Sequence, residues 1–308
     1  MGTGLTRRTG LALTLGLAAM SLLGGVGSAP AGRAQAAFEC PAPAAASASP
    51  ASGSAGPASP AALEEVAFPA GGGDLTVFAA ASLTDAFGEM KTDLEAAHPG
   101  LTITYNFGGS QALVTQLKEG AAADVFAAAN ATQMKAAAAN GSISGEPETF
   151  VRNELVIVTP ADNPAGIDAP ADLGQDGLRL VLAQAEVPAG RYARESVCKM
   201  AEDTATFGEG FSDRVAANVV SKEEDVRDVL TKVELGEADA GIVYVSDAFV
   251  AGDKVRLIEI PADENVIATY PIATVTGGDE ALGDTFIRYV LSGEGQATLQ
   301  AFGFTPAK

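Results

Sequence analysis

From Asp74 onward, short apolar runs that suit buried strands alternate with longer stretches of helical periodicity. This alternation constrains the fold more than any other feature of the chain. Leu75–Ala80 reads as a strand, Leu83–Ala97 as a helix, Leu101–Tyr105 as a strand, Gln111–Glu119 as a helix and Asp124–Ala127 as a strand. A second series starts after Phe150: strands at Leu155–Val158 and Leu178–Leu182, a short helical turn at Asp168–Leu173, and a helix over Arg191–Met200. It continues with strands at Ala217–Val220 and Ala240–Val245 around a helix over Glu223–Leu235, strands at Val255–Ile260 and Tyr270–Val275, and a last helix over Asp279–Leu291. Such alternation predicts an α/β fold, with mostly parallel sheets covered by helices on both faces. Two series predict two lobes, and open sheets of this kind bind ligands at the carboxyl ends of their strands.

Residues 1–36 read as an export signal: Arg7 and Arg8, an apolar run from Leu11 to Leu23, then small residues up to Ala34-Gln35-Ala36. The apolar run is short for a bilayer span. The pair Arg7-Arg8 carries a weak twin-arginine signature. Residues 37–73 are rich in Ala, Pro, Ser and Gly and bury too little apolar surface to offset chain entropy, which predicts a flexible linker. Cys40 lies in it. Three states are open for Cys40: a disulfide with Cys198, lipid attachment, or a free thiol. Phe38-Glu39 before it suits a lipoprotein signal poorly.

Charge and composition exclude several functions. The chain has 19 Lys+Arg against 39 Asp+Glu and a net charge of −20. Cutting after Ala36 removes Arg7, Arg8 and Arg33, which leaves 16 basic residues and a net charge of −23. A balance this acidic argues against nucleic acid and against an electrostatic hold on anionic lipid. One His and two distant Cys leave no zinc site built from protein ligands.

Four strand-to-helix loops stand out. Ser82 and Asp85 have the spacing of a capping box. Gly108-Gly109 permits a close backbone approach before Ser110 opens a helix. Val187-Pro188-Ala189-Gly190 precedes the helix at Arg191, and Ser221–Val226 leads into another. Helix starts offer unpaired N–H groups and a positive dipole end, so several aimed at one point bind a small anion without Lys or Arg.

At these loops the chain resembles the periplasmic molybdate-binding proteins of bacterial ABC importers. The matching segments are FAAASLTDAF at 78–87, GGSQALVTQL at 108–117, ADVF at 123–126, NELVIV at 153–158, VPAGRYA at 187–193, EDVR at 224–227 and GIVYVSD at 241–247. The resemblance implies a two-lobe periplasmic-binding fold closing over one tetrahedral oxyanion, with residues 74–152 plus 269–308 as one lobe and 153–268 as the other. Hinge strands are then expected near 151–155 and 266–271. It further implies contacts from the hydroxyl and N–H of Ser82 and Ser110, the N–H groups of Ala189 and Val226, and the hydroxyl of Tyr244. No cofactor is implied; the ligand is molybdate or tungstate, the partner a membrane permease, and the protein a monomer outside the cytoplasmic membrane.

Two alternatives compete. A binder of sulfate or of a carboxylate fits the same loops, and a carboxylate binder would use an Arg; Arg191 is the candidate, although its place on the outer helix face tells against it. An exported hydrolase would depend on His98, but that residue precedes Pro99-Gly100 at a helix end, and no G-x-S-x-G elbow is present.

Overall fold

The computed structural model describes residues 38–40 and 66–307. The predicted signal, 1–36, and residues 41–65 of the predicted linker lie outside the described residues. In chain order the elements are β1 (Gly73–Ala80), α1 (Thr84–Ala97), β2 (Leu101–Gly108), α2 (Ser110–Lys118), β3 (Val125–Ala127), α3 (Ala131–Ala139), β4 (Ile143–Asn153) and β5 (Leu155–Pro160). Next come β6 (Leu180–Ala183), α4 (Pro188–Glu202), α5 (Thr204–Phe207), α6 (Phe211–Asn218), β7 (Val219–Glu223), α7 (Val226–Glu234), β8 (Ala240–Tyr244), α8 (Val245–Ala251) and β9 (Val255–Glu259). The last are β10 (Ala268–Val275), α9 (Glu280–Leu291), α10 (Gly293–Ala301) and β11 (Thr305–Pro306).

The strands form two sheets, ordered β11-β4-β10-β3-β1-β2 and β7-β6-β8-β5-β9. Strand period places alternate residues on opposite faces, and both faces of the first sheet are buried. Leu75, Val77 and Ala79 of β1 face one apolar cluster, while Phe78 joins Leu113, Leu117, Phe126 and Met134 in another beneath α2 and α3. In the second sheet, α7 buries Val226, Val229, Leu230 and Val233, an i, i+3, i+4, i+7 stripe.

Both sheets are mixed, where the sequence suggested mostly parallel ones. β1 pairs with β2 and β3 in parallel, and β6 pairs with β7 and β8 in parallel. The strands next to the crossovers run the other way: β10 is antiparallel to β3 and β4, and β5 to β8 and β9. The reason is connectivity. The chain leaves the first sheet at Asn153, enters the second at Leu155, and returns at Ala268 directly beside Asn153. Asn265 ties this crossing together, since its Oδ1 accepts from Leu155 N at 3.2 Å and its Nδ2 donates to Leu155 O at 2.9 Å.

Order begins before Asp74, contrary to a linker that ends there. Phe68 is buried, its ring 4.7 Å from that of His98 and 6.3 Å from that of Tyr289. It is the large apolar side chain of an otherwise small-residue stretch, and burying it opposes the entropy that keeps such sequences unfolded. Cys40 is bonded to Cys198 on α4, with Cα atoms 5.4 Å apart, and the Arg194 guanidinium lies 5.5 Å from the Phe38 ring centre. The sulfur is thereby consumed, so lipid attachment at Cys40 is set aside.

Candidate functional site

Parallel strands in both sheets end at one small cavity with about 200 Å³ of empty space. Ser82, Ser110, Ala189, Val226 and Tyr244 all line it, the first two from loops after β1 and β2, the others from the second sheet. All five are buried.

Each loop presents donors for a local reason. Ser82 sits in a single 3₁₀ turn, Ala81–Leu83, that runs into α1; Ala80 precedes it and no side chain caps it. The capping box expected of Ser82 and Asp85 is not formed, because Asp85 pairs with Arg227 instead, at 2.6 Å. Gly109 precedes α2 and has no side chain to satisfy the N–H groups that follow. A Cβ on Gly109 would lie 2.5 Å from Glu224 O, so glycine lets this loop meet the loop before α7. The α4 helix starts at Pro188, earlier than its sequence suggested. Proline at the first helical position has no N–H, which makes Ala189 the first donor of that helix. At α7, the Asp225 carboxylate caps Arg227 N at 2.7 Å and Asp228 N at 3.1 Å, leaving the Val226 N–H outside its reach.

The hydroxyls are ordered from behind. Ala129 N donates to Ser110 Oγ at 3.0 Å. Ser82 Oγ and Tyr270 Oη share a hydrogen bond of 2.9 Å, and Asn153 Nδ2 lies 2.8 Å from Ser246 Oγ and 3.5 Å from Tyr270 Oη. Tyr244 is fully buried at the cavity wall, its ring 5.8 Å from that of Tyr270. Burial pushes the Tyr244 phenol well above its ordinary range, so it enters the site as a neutral O–H.

Among the described residues no cationic side chain lines the cavity, and the one charged side chain that does is Asp225. Arg227, next to Val226, is held between Asp85 and Asp247, the latter at 2.7 Å. Asp247 is buried, and desolvation pushes its carboxyl up to about 6, with Arg227 pulling it back down. Arg191, the alternative anion ligand, instead donates to Thr132 Oγ1 at 2.7 Å on the outside of the cleft. His98 packs on Phe68 and takes no part in the cavity. Gln111 Nε2 donates to Glu224 O at 2.9 Å and Gln133 Nε2 to Glu186 O at 3.1 Å, so the rim is joined by contacts between loops of the two sheets.

Tyr270, Asn153 and the Asp85–Arg227–Asp247 cluster were not singled out from sequence. The one available signal was that Tyr270 and Asn153 are polar groups at the edges of apolar strand runs, close to the crossover.

Three comparisons bear on this geometry. The molybdate-binding protein ModA of Mycobacterium tuberculosis strain H37Rv is 39% identical over 235 residues, which cover 76% of this chain and 85% of that protein. The molybdate-binding protein ModA of Escherichia coli K12 is 34% identical over 241 residues, 76% of this chain and 89% of that protein. The substrate-binding domain of a putative molybdenum ABC transporter from Clostridium difficile superposes with a TM-score of 0.57 at 28% identity, over 76% of this chain and 99% of that domain. Residues 75–305 match the family described as bacterial extracellular solute-binding protein, and the chain belongs to that family.

Proposed function

We propose that this protein captures molybdate or tungstate outside the cytoplasmic membrane and hands it to the membrane permease of an ABC importer. The observation that carries the reading is the cavity itself: five buried positions from two sheets, offering amides and hydroxyls and no positive side chain, around a space suited to one small ion. The ligand contacts are the hydroxyl and N–H of Ser82 and Ser110, the N–H of Ala189 and Val226, and the hydroxyl of Tyr244. Hydrogen bonds to a charged partner contribute roughly 1.5–3 kcal/mol each, so a shell of this size supports micromolar binding or better after the costs of association. Sulfate, with the same charge, is smaller and would leave part of the shell out of reach.

In this reading residues 1–36 direct export and are removed, and the protein acts as a monomer. Residues 74–152 plus 269–308 and residues 153–268 move as two lobes about the crossover strands, so that ion binding and closure are one event. A thermal-shift screen over molybdate, tungstate, sulfate, phosphate and chromate tests it, because a ligand that binds only the folded state raises the melting temperature. Molybdate and tungstate are expected to give the large shifts. Ser110→Ala is expected to weaken molybdate binding by roughly 1.5–3 kcal/mol in calorimetry. No shift with any group-six oxoanion, or an unchanged affinity in Ser110→Ala, contradicts the reading.

A further inference from the structure

Three charged side chains stand behind the shell of donors, and each follows one of the cavity positions closely in the chain. Asp85 is three residues after Ser82, Arg227 is next to Val226, and Asp247 is three residues after Tyr244. None of the three lines the cavity. Arg227 Nη2 lies 2.6 Å from Asp85 Oδ2, and its Nε lies 2.7 Å from Asp247 Oδ1. Asp247 Oδ2 also accepts from Tyr244 N at 3.2 Å. Asp85 sits on α1, which follows β1 of the first sheet, whereas Arg227 and Asp247 sit on α7 and α8, which follow β7 and β8 of the second. Among the described residues, Asp85–Arg227 is the one ion pair that spans the cleft between the sheets. The other polar bonds across it, from Gln111, Gln133 and Arg191, are exposed and end on a carbonyl or a hydroxyl.

The two ends of this triad are unequal. The Asp247 side chain has no exposure, while those of Arg227 and Asp85 keep 22% and 34%. Stripping a buried carboxylate of its partner is strongly destabilising, so Arg227 stays with Asp247. Asp85 reaches water and can be hydrated on leaving Arg227. The contact that breaks when the cleft opens is therefore Asp85–Arg227. We infer that Arg227 is a positioning residue which, anchored on Asp247 and reaching across to Asp85, clasps the two sides of the cleft in the closed form and so slows release of the bound oxyanion. This rests on the oxyanion reading above and adds to it a part of the protein that never touches the ion. Making the pair brings the Ser82 loop up to the Val226 and Tyr244 donors, and parting it lets the shell come apart.

The test is a mutant cycle at neutral pH with sodium molybdate, on wild type, Asp85→Asn, the Arg227→Met/Asp247→Asn pair, and all three substitutions together. Changing Arg227 and Asp247 together leaves no buried charge without a partner, and each protein is first checked for a cooperative melt. Calorimetry is expected to show Asp85→Asn losing about tenfold in affinity in the wild-type background, between the exposed and the buried cases for an ion pair, and under about twofold in the background without Arg227. Stopped-flow tyrosine fluorescence should place the loss in the dissociation rate, which a merely structural defect in the ligand-free protein would not select. Equal losses in both backgrounds, a loss carried by the association rate, or tighter binding because a carboxylate near the dianion has gone, each overturns the clasp while the oxyanion reading stands. A wild-type protein that binds no molybdate overturns the oxyanion reading, and the clasp with it.

Discussion

The phenol of Tyr244 is buried at the cavity wall, beside that of Tyr270. Tyr244→Phe removes a donor to a charged ligand and is expected to weaken molybdate binding about tenfold, read by calorimetry. Asp247 is a residue held against its preference. Its carboxyl is raised to about 6 by burial, against the pull of Arg227 and of its bond from Tyr244 N, with Asp225 and Asp85 adding repulsion. A folded-state value above the unfolded one means that the native protein holds the proton more tightly. This contribution to stability is complete below the unfolded value near 4 and is lost as pH rises through about 6. In urea melts from pH 4 to 7, the stability of Asp247→Asn relative to wild type should rise across that window. These residues were opaque in the sequence because their roles depend on which elements meet. Asp85 has the spacing of a cap, and only the approach of α7 shows that it serves Arg227.

At the scale of elements, the start of α4 is the most exacting local structure. A Cβ on Gly190 would lie 2.0 Å from Gln184 O and 2.4 Å from Ala183 O, contacts with rigid backbone. Gly190→Ala must push the helix start off the end of β6 and move the Ala189 N–H with it. The expected result is a loss of about 1–3 kcal/mol in stability with weaker molybdate binding, measured by urea denaturation and calorimetry. The strands were legible because runs such as Leu75–Ala80 and Leu155–Val158 are buried on both faces and read as continuous apolar segments. Elements with diluted signals were not. In α3, Ala131–Ala139 buries only Met134 and Ala137, so its pattern has little periodicity. In β4, Gly145 at φ +78° and Pro147 interrupt the strand pattern. Helix α4 began sooner than expected because Pro-Ala-Gly resembles a turn, although proline is favoured at a helix's first position.

For the whole molecule, the loop chemistry carried more information than the linker composition. The five cavity positions were reached through the resemblance: Ser82, Ser110, Ala189 and Val226 lie at strand-to-helix loops that the sequence marks, while Tyr244, at the end of a strand, was named by the resemblance alone. The packing of Phe68 on His98 and the pairing of Cys40 with Cys198 were not, since partners distant in sequence are set by the finished fold. That disulfide joins residues 158 apart and ties the segment before β1 to a helix of the second sheet. In the chain-entropy account a closure of that length stabilises by up to about 5 kcal/mol. Reduction is expected to lower the melting temperature by as much as roughly 10–20 °C, seen by calorimetry with and without dithiothreitol. The bond also keeps a record of where each copy has been. A chain held in a reducing interior retains two reactive thiols, and one that has matured in an oxidising exterior has none to offer. Maleimide labelling of intact cells and of their surroundings would sort the two populations and show how much of the protein completes its journey.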